Sequence, residues 1–242
     1  MKPIKLIAIL LLVAVTASCN FDINIGQEHG NGDVVSEERT VNEDFNKVKG
    51  SSGIDVYLTE GNENKIVVEA DENLLDIIET DISNGKLTIR TENGKNIGRS
   101  KSKKVHVTYK SLTSIEASSG ADVIANSVVK SEKLTLDCSS GADLEVEVFA
   151  SELYTETSSG ADIEVSGKAI NMYANASSGS DINAKNLIVK TCNAKASSGA
   201  DITLNVKDKL NAKASSGGNI DYYGDTAVIN EKESSTGSVR KM

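Results

Sequence analysis

From Leu112 towards the carboxyl end, apolar and polar positions alternate with a period of two. Aliphatic or small residues stand at Ile115 and Ala117, then at Leu134, Leu136 and Cys138, and in the same phase at Leu153, Thr155 and Thr157. The phase recurs at Met172, Ala174 and Ala176, at Cys192, Ala194 and Ala196, and at Leu210, Ala212 and Ala214, with mostly charged or amide residues between. Such alternation predicts β-strands with one buried face, because helical spacing would scatter the same residues around a cylinder. One tripeptide punctuates the strands. Ser-Ser-Gly recurs with its glycine at Gly53, Gly120, Gly141, Gly160, Gly179, Gly199 and Gly217, and from Gly120 onward the spacings are 21, 19, 19, 20 and 18 residues. Two places after each glycine come Asp55, Asp122, Asp143, Asp162, Asp181, Asp201 and finally Asn219, and the next place is always aliphatic, from Val56 to Ile220.

Strand repeats of about 20 residues with a fixed turn predict an all-β solenoid, one coil per repeat, with successive coils paired as parallel strands about 4.8 Å apart. The expected fold is a right-handed parallel β-helix. A left-handed β-helix needs a stricter six-residue period, and a propeller about 40 residues per blade. Matching columns then stack, with aliphatics inside and Ser, Gly and Asp along one corner. Glycine suits a corner needing positive φ, and the serine hydroxyls are expected to bond the turn backbone.

Residues 34–112 are less regular. They hold strand-like Lys65 to Ala70 and Lys86 to Thr91, a tight turn at Asn84-Gly85, a helical turn within 71–82, a charged loop over 93–104 and a strand over 105–109. They are expected to form wider, irregular coils that start the solenoid and cover its open end, since a parallel stack otherwise exposes unpaired edge groups. Residues 34–239 thus read as one β-helix domain, regular over 113–239.

Ahead of it, Lys2 and Lys5 precede the apolar run Leu6 to Val15, which is too short to span a bilayer, and Thr16-Ala17-Ser18 leads into Cys19. Residues 1–18 read as a lipoprotein signal peptide and Cys19 as the lipid-attachment residue, although Thr16 stands where an aliphatic is usual. Residues 19–33 read as a flexible tether, with His29 a solvated part of it. The expected address is the cell envelope, anchored by lipid, with the outer membrane favoured.

Composition narrows the chemistry. The 242 residues carry 26 Lys+Arg against 35 Asp+Glu, a net charge of -9, which argues against a nucleic-acid partner. Loss of the two signal lysines makes it 24 - 35 = -11. Aromatic residues are 4%, with no Trp, which disfavours a deep aromatic pocket. Cys138 and Cys192 fall in different apolar columns three coils apart and are expected as free, buried thiols.

The aspartate ladder, Asp55, Asp122, Asp143, Asp162, Asp181 and Asp201, is expected to be compensated by serine hydroxyls or backbone N–H groups of its own corner. The alternative is a row of Ca²⁺ sites, although the Gly-Gly-x-Gly-x-Asp nonapeptide of calcium β-rolls is missing. A second column, Glu116, Asp137, Glu156, Asn175, Lys195, Lys213 and Lys232, changes sign along the coils. Tyr154 and Tyr173 share an outward column as a cross-strand pair or a stacking surface for a glycan. No Ser–His–Asp, metal or phosphate-loop pattern breaks the repeat, so no catalytic residues are assigned. His106 is expected to point away from its apolar neighbours.

The residues also resemble a bacterial family described as putative auto-transporter adhesin, head GIN domain, a domain of unknown function. The matching features are Phe45-x-x-Val48-x-Gly50, Gly85-x-Leu87-x-Ile89, Leu112-x-x-Ile115 leading into the Ser-Gly repeats, and the Ser216-Gly217-Gly218-Asn219-Ile220-x-Tyr222-x-Gly224 ending. The resemblance spans roughly residues 40 to 239 and implies an envelope-exposed β-helix without catalytic residues. Ser234-Ser235-Thr236-Gly237 departs from the pattern, which marks the last coil as a cap. The resulting expectation is a non-catalytic binding or adhesion module for a glycan or envelope protein. A self-assembling scaffold is the first alternative and a polysaccharide-active enzyme the second.

Overall fold

In the computed structural model, which describes residues 27–226, 228–234 and 236–242, parallel strands about 19 residues apart stack into a β-solenoid of about six turns. The middle coils are long bent strands running from one corner to the next: Asp143–Ser158, Asp162–Ser177, Asp181–Ser197 and Asp201–Ser215. Their register joins like to like, for example Leu134 to Leu153, Leu153 to Met172, Met172 to Cys192 and Cys192 to Leu210. All five side chains are fully buried, so each column is a continuous apolar rod in one core. Burying side chains of this size stabilises by about 1.5–3 kcal/mol each. The uneven repeat lengths are absorbed opposite the corner, as register shifts between Glu164 and Gly167, between Ala184 and Ile188, and between Val189 and Thr191.

The corner itself is a main-chain device. Its glycines have φ of 65° to 78°, as expected, but the serine before each is also left-handed, with φ of 52° to 62° from Ser52 to Ser216. Two successive left-handed residues turn the strand sharply and aim backbone groups along the stack. From Gly53 to Gly199 each corner glycine N–H donates to the second serine's carbonyl on the neighbouring coil, as in Gly120 to Ser140 (3.1 Å), Gly141 to Ser159 (3.1 Å) and Gly160 to Ser178 (3.2 Å). Next to it a buried small column, Ala121, Ala142, Ala161, Ser180 and Ala200, keeps the ladder going: Asp143 N–H bonds Ala121 and Asp162 N–H bonds Ala142, both at 3.0 Å. The expectation that serine hydroxyls brace every turn is corrected here. Among the Ser-Ser-Gly serines of the described residues only the Ser51 hydroxyl bonds backbone, to Ile89 at 3.1 Å, and just after one tripeptide the Ser180 hydroxyl donates to the Ser177 carbonyl at 2.8 Å. Inter-coil carbonyls and N–H groups already satisfy the turn, leaving the hydroxyls to solvent.

The first end is built differently. Lys47–Gly50 pairs in parallel with both Lys86–Thr91 and Ser114–Ser118, and Asp55–Glu60 with both Lys103–Tyr109 and Asp122–Ala125. Beyond these coils the pairing turns antiparallel: Lys65–Asp71 lies against Lys103–Tyr109, Val34–Arg39 against Lys65–Asp71, and Ile78–Ser83 against Lys86–Thr91. The last pair is the hairpin foreseen at Asn84-Gly85, whose φ values of 52° and 71° suit a two-residue primed turn. The helical turn is a 3-10 segment, Glu72–Ile77. The outer strand Val34–Arg39 carries Glu37, Glu38 and Arg39, with Lys65 Nζ 2.7 Å from Glu38, a charged edge of the kind that discourages strand addition.

Part of the expected tether belongs to this end. Gln27–Glu28 pairs with Asn96–Ile97, Gly30 N–H donates to the Arg99 carbonyl (2.8 Å), and the His29 Nδ1 accepts from Arg99 N–H (3.1 Å). Asp71, fully buried, accepts from the N–H groups of Gly32, Lys101 and Ser102 at 3.0 Å each. A polar, aperiodic segment is held here through its backbone, so the local pattern carried no sign of it. Residues 1–18, read above as a signal peptide, and Cys19 lie outside the described residues.

Candidate binding face

Alternation places two outward faces beside the corner, one before it and one after. The face after the corner carries the ladder. Lys104, Asp55, Asp122, Asp143, Asp162, Asp181, Asp201 and Asn219 are successive neighbours across the coils. From Asp122 to Asp201 these side chains are exposed. Burial of the carboxyl and then the like charges of Asp122 and Asp162 push the Asp143 pKa up. Asp181 is pushed up in the same way by burial, Asp162 and Asp201, against a backbone N–H of Asp201. Asp55 is raised by burial and Asp122, against Lys103 and Lys104. The ladder ends in compensating groups, lysines at one end and at the other Asn219, whose Nδ2 donates to Asp201 (2.7 Å). No serine hydroxyl among the described residues reaches a ladder carboxylate; the compensating groups are the Asp201 backbone N–H at Asp181, the lysines at one end and Asn219 at the other.

As a metal centre the ladder is poorly built. It offers one carboxylate per coil in a straight row, whereas Ca²⁺ takes six to eight oxygens around one point. Among the described residues no group of three or more His, Cys, Asp or Glu side chains is placed to hold one ion.

The face before the corner is chemically richer. Register stacks Thr135, Tyr154, Tyr173, Asn193 and Asn211 in one outward column. The inward neighbours Leu153, Met172 and Cys192 fix the phase, so the tyrosines have no route into the core. Tyr154 and Tyr173 lie ring on ring, with centroids 4.7 Å apart and planes 7° apart, and Tyr173 remains 41% exposed. Lys133 Nζ sits 4.7 Å from the Tyr154 ring centre, a cation on its π-face. The Tyr154 hydroxyl donates to Glu152 (3.1 Å). Asn211 Nδ2 donates to Asn193 Oδ1 (2.7 Å), continuing the column as an amide ladder.

Beside it runs the column that changes sign. Glu116 is paired with Lys86 Nζ at 2.7 Å, and Glu156 accepts from Asn175 Nδ2 at 3.1 Å. Asp137, between Glu116 and Glu156, has its pKa raised by burial and then by both neighbours. On later coils the column becomes Lys195, Lys213 and Lys232. Two open grooves follow this face, one of about 330 Å³ at the tyrosines and one of about 570 Å³ over Asn193, Lys195, Asn211 and Lys213.

Of the remaining residues singled out in the sequence, the cysteines lie inside the core and His106 lies on the ladder's own face, two residues after Lys104. Cys138 and Cys192 are free, buried thiols. His106 points outward, stacks on Tyr57 at 5.4 Å and lies 3.7 Å from Glu69, far along the chain from the tyrosines. The Asn193–Asn211 bond and the Lys133–Tyr154 contact were not foreseen, although the column spacing that aligned the tyrosines also aligned them.

A family model described as putative auto-transporter adhesin, head GIN domain, matches residues 44–226. A search of curated proteins returns no match. Among solved structures, a putative adhesin of Bacteroides fragilis shares the fold with TM-score 0.82 at 17% identity, covering 89% of this chain and 100% of that one. A putative adhesin of Parabacteroides merdae matches with TM-score 0.71 at 26% identity over 90% of this chain and 99% of that one. A protein of Parabacteroides distasonis described as a putative lipid binding protein matches with TM-score 0.70 at 18% identity over 89% and 99%.

Proposed function

The chain belongs to the adhesin head family whose model spans residues 44–226, and on that premise we propose that it is a lipid-anchored binding module of the cell envelope, non-catalytic, that holds its ligand on the face before the corner. The family supports a role in binding or adhesion at the cell envelope or surface. Attachment through Cys19 and the outer-membrane address belong to this proposal, supported by the apolar run that ends at that cysteine.

The observation that carries the reading is the contrast between the two outward faces. The face after the corner repeats an exposed carboxylate on every coil along a groove that Glu145 and Glu164 make more acidic, with the Tyr57–His106 stack at its first end; the face before the corner combines a stacked tyrosine pair, an amide ladder and a column of changing charge along two grooves. A solenoid is suited to such display, because each coil is locked to its neighbours and the columns keep their spacing without help from the ligand. Catalysis needs a few dissimilar groups converging on one point, whereas the groups here are spread in rows.

Two measurements test this. Fatty-acid labelling of the expressed lipoprotein is expected and should vanish in Cys19→Ala, while persistence of label in that variant overturns the anchor. The purified full chain should adhere to bacterial or host surfaces, and Tyr154→Ala with Tyr173→Ala should reduce adhesion, while Asp143→Asn with Asp162→Asn leaves it intact. Adhesion lost with the aspartates and kept without the tyrosines would assign binding to the other face.

A further inference from the structure

We infer that the groove over the late coils takes an acidic polysaccharide, a deepening that rests on the binding-module reading. Charge is unevenly partnered along this face. The acidic half of the sign-changing column has partners: Lys86 on Glu116 and Asn175 on Glu156. The basic half has none, for among the described residues no ion pair or hydrogen bond is made by the ammonium groups of Lys195, Lys213 and Lys232. Three like charges on adjacent coils, about 4.8 Å apart along the stack, repel one another. In a chain of net charge -9 a concentrated, unpaired basic column marks where an anion is wanted.

The groups around it specify the kind of anion. The groove of about 570 Å³ is floored by Ala194 and Ala212 and lined by Asn193 and Asn211, so its base is small and its walls are amides. Asn193 spends its carbonyl on Asn211, and among the described residues its own amide hydrogens bond no other group. Amides carry both donors and acceptors, which is what sugar hydroxyls require. One coil back stands Tyr173, 41% exposed, which has one ring face against Tyr154 and adds an aromatic edge and a hydroxyl beside the groove. The order along the solenoid is aromatic, amide, amide, with lysines alongside. An extended polymer of acidic sugars lying parallel to the solenoid axis meets all of these at once. An acidic peptide would use the lysines but leave the tyrosine and amide rows without a purpose.

The test uses the full-length lipoprotein in detergent, with polygalacturonate for a carboxylate source, heparin for a sulfate source, amylose as the neutral control and poly-glutamate as the acidic peptide. Binding to polygalacturonate or heparin is expected, weakening as salt is raised, and the two arms identify the acid group. Lys195→Gln with Lys213→Gln and Lys232→Gln should weaken it about tenfold, the product of three exposed charge contacts of modest strength. Tyr173→Ala should weaken it as well, and Asp143→Asn with Asp162→Asn should leave it unchanged. No binding to either polyanion, equal binding to poly-glutamate, or indifference to the lysine substitutions overturns the inference. Binding of amylose that depends on Tyr173 but not on the lysines also overturns it, while leaving the binding-face reading intact.

Discussion

At the scale of single residues the aspartates divide into two kinds with opposite effects on stability. Asp55, Asp143 and Asp181 have pKa values raised above 3.8, first by burial and then by neighbouring carboxylates. Such groups bind protons more tightly folded than unfolded, so their contribution falls as pH rises above 3.8. Burial also pushes Asp71 up, but the N–H groups of Ser102, Gly32 and Lys101 outweigh it and its pKa ends below 3.8. Its contribution is present above 3.8 and is lost as pH falls through the lower folded value. Together with Asp137, whose pKa is raised in the same way, these four groups are expected to make thermal stability rise on acidification from neutrality and then fall below about pH 3.8, which a series of melting curves would show. Asp71→Ala leaves three backbone donors without an acceptor and should cost about 3 kcal/mol, with faster hydrogen exchange at residues 30–33 and 101–102. The thiols provide a third measurement. Burial pushes both Cys138 and Cys192 up to about 12, so neither should react with a thiol reagent at pH 8 until denaturant unfolds the chain.

At the scale of the element the corner decides. Gly160 has φ of 68° and an added Cβ would meet open space, so Gly160→Ala should cost only the left-handed strain, about 1 kcal/mol. Gly167 has φ of 102° and its Cβ would run into the Val148 carbonyl, so Gly167→Ala should cost about 3 kcal/mol or more in chemical denaturation. The first glycine belongs to the Ser-Ser-Gly repeat and the second does not, so conspicuous repetition and steric need are different things. The paired left-handed serines show the same from the other side. Thr236, where the tripeptide breaks down, has φ of 68° and Gly237 N–H bonds Ser234 at 3.2 Å, so the corner's backbone outlasts its spelling. A straight row of single carboxylates cannot surround a cation, and calcium or a chelator is expected to leave the melting temperature unchanged.

The whole molecule is a repeat made safe at one end by a different kind of pairing. Regular coils expose strand edges, and the antiparallel strands over residues 34–109 close the first of them. Removal of residues 1–40 strips Val34–Arg39 from the edge of Lys65–Asp71, a strand with fully buried Ile66, Val68 and Ala70. That variant is expected to self-associate by light scattering, whereas the intact chain presents the charged edge.

Alternation by two and the near-constant spacing of Ser-Ser-Gly were enough to read the inward columns, the stacked coils, the aspartate row and the tyrosine pair, because a repeat that pairs with itself writes its register into its own letters. Nothing in those letters announced the clamp of residues 27–33 on Asp71 or the strand Val34–Arg39 lying antiparallel on Lys65–Asp71. Those contacts join unlike segments about 30 to 70 residues apart through backbone groups, which every residue carries, and so leave no periodic trace. The identical serines likewise hid a left-handed backbone, since what forces that conformation is the hydrogen bond to the next coil, and the next coil exists only once the chain has wound.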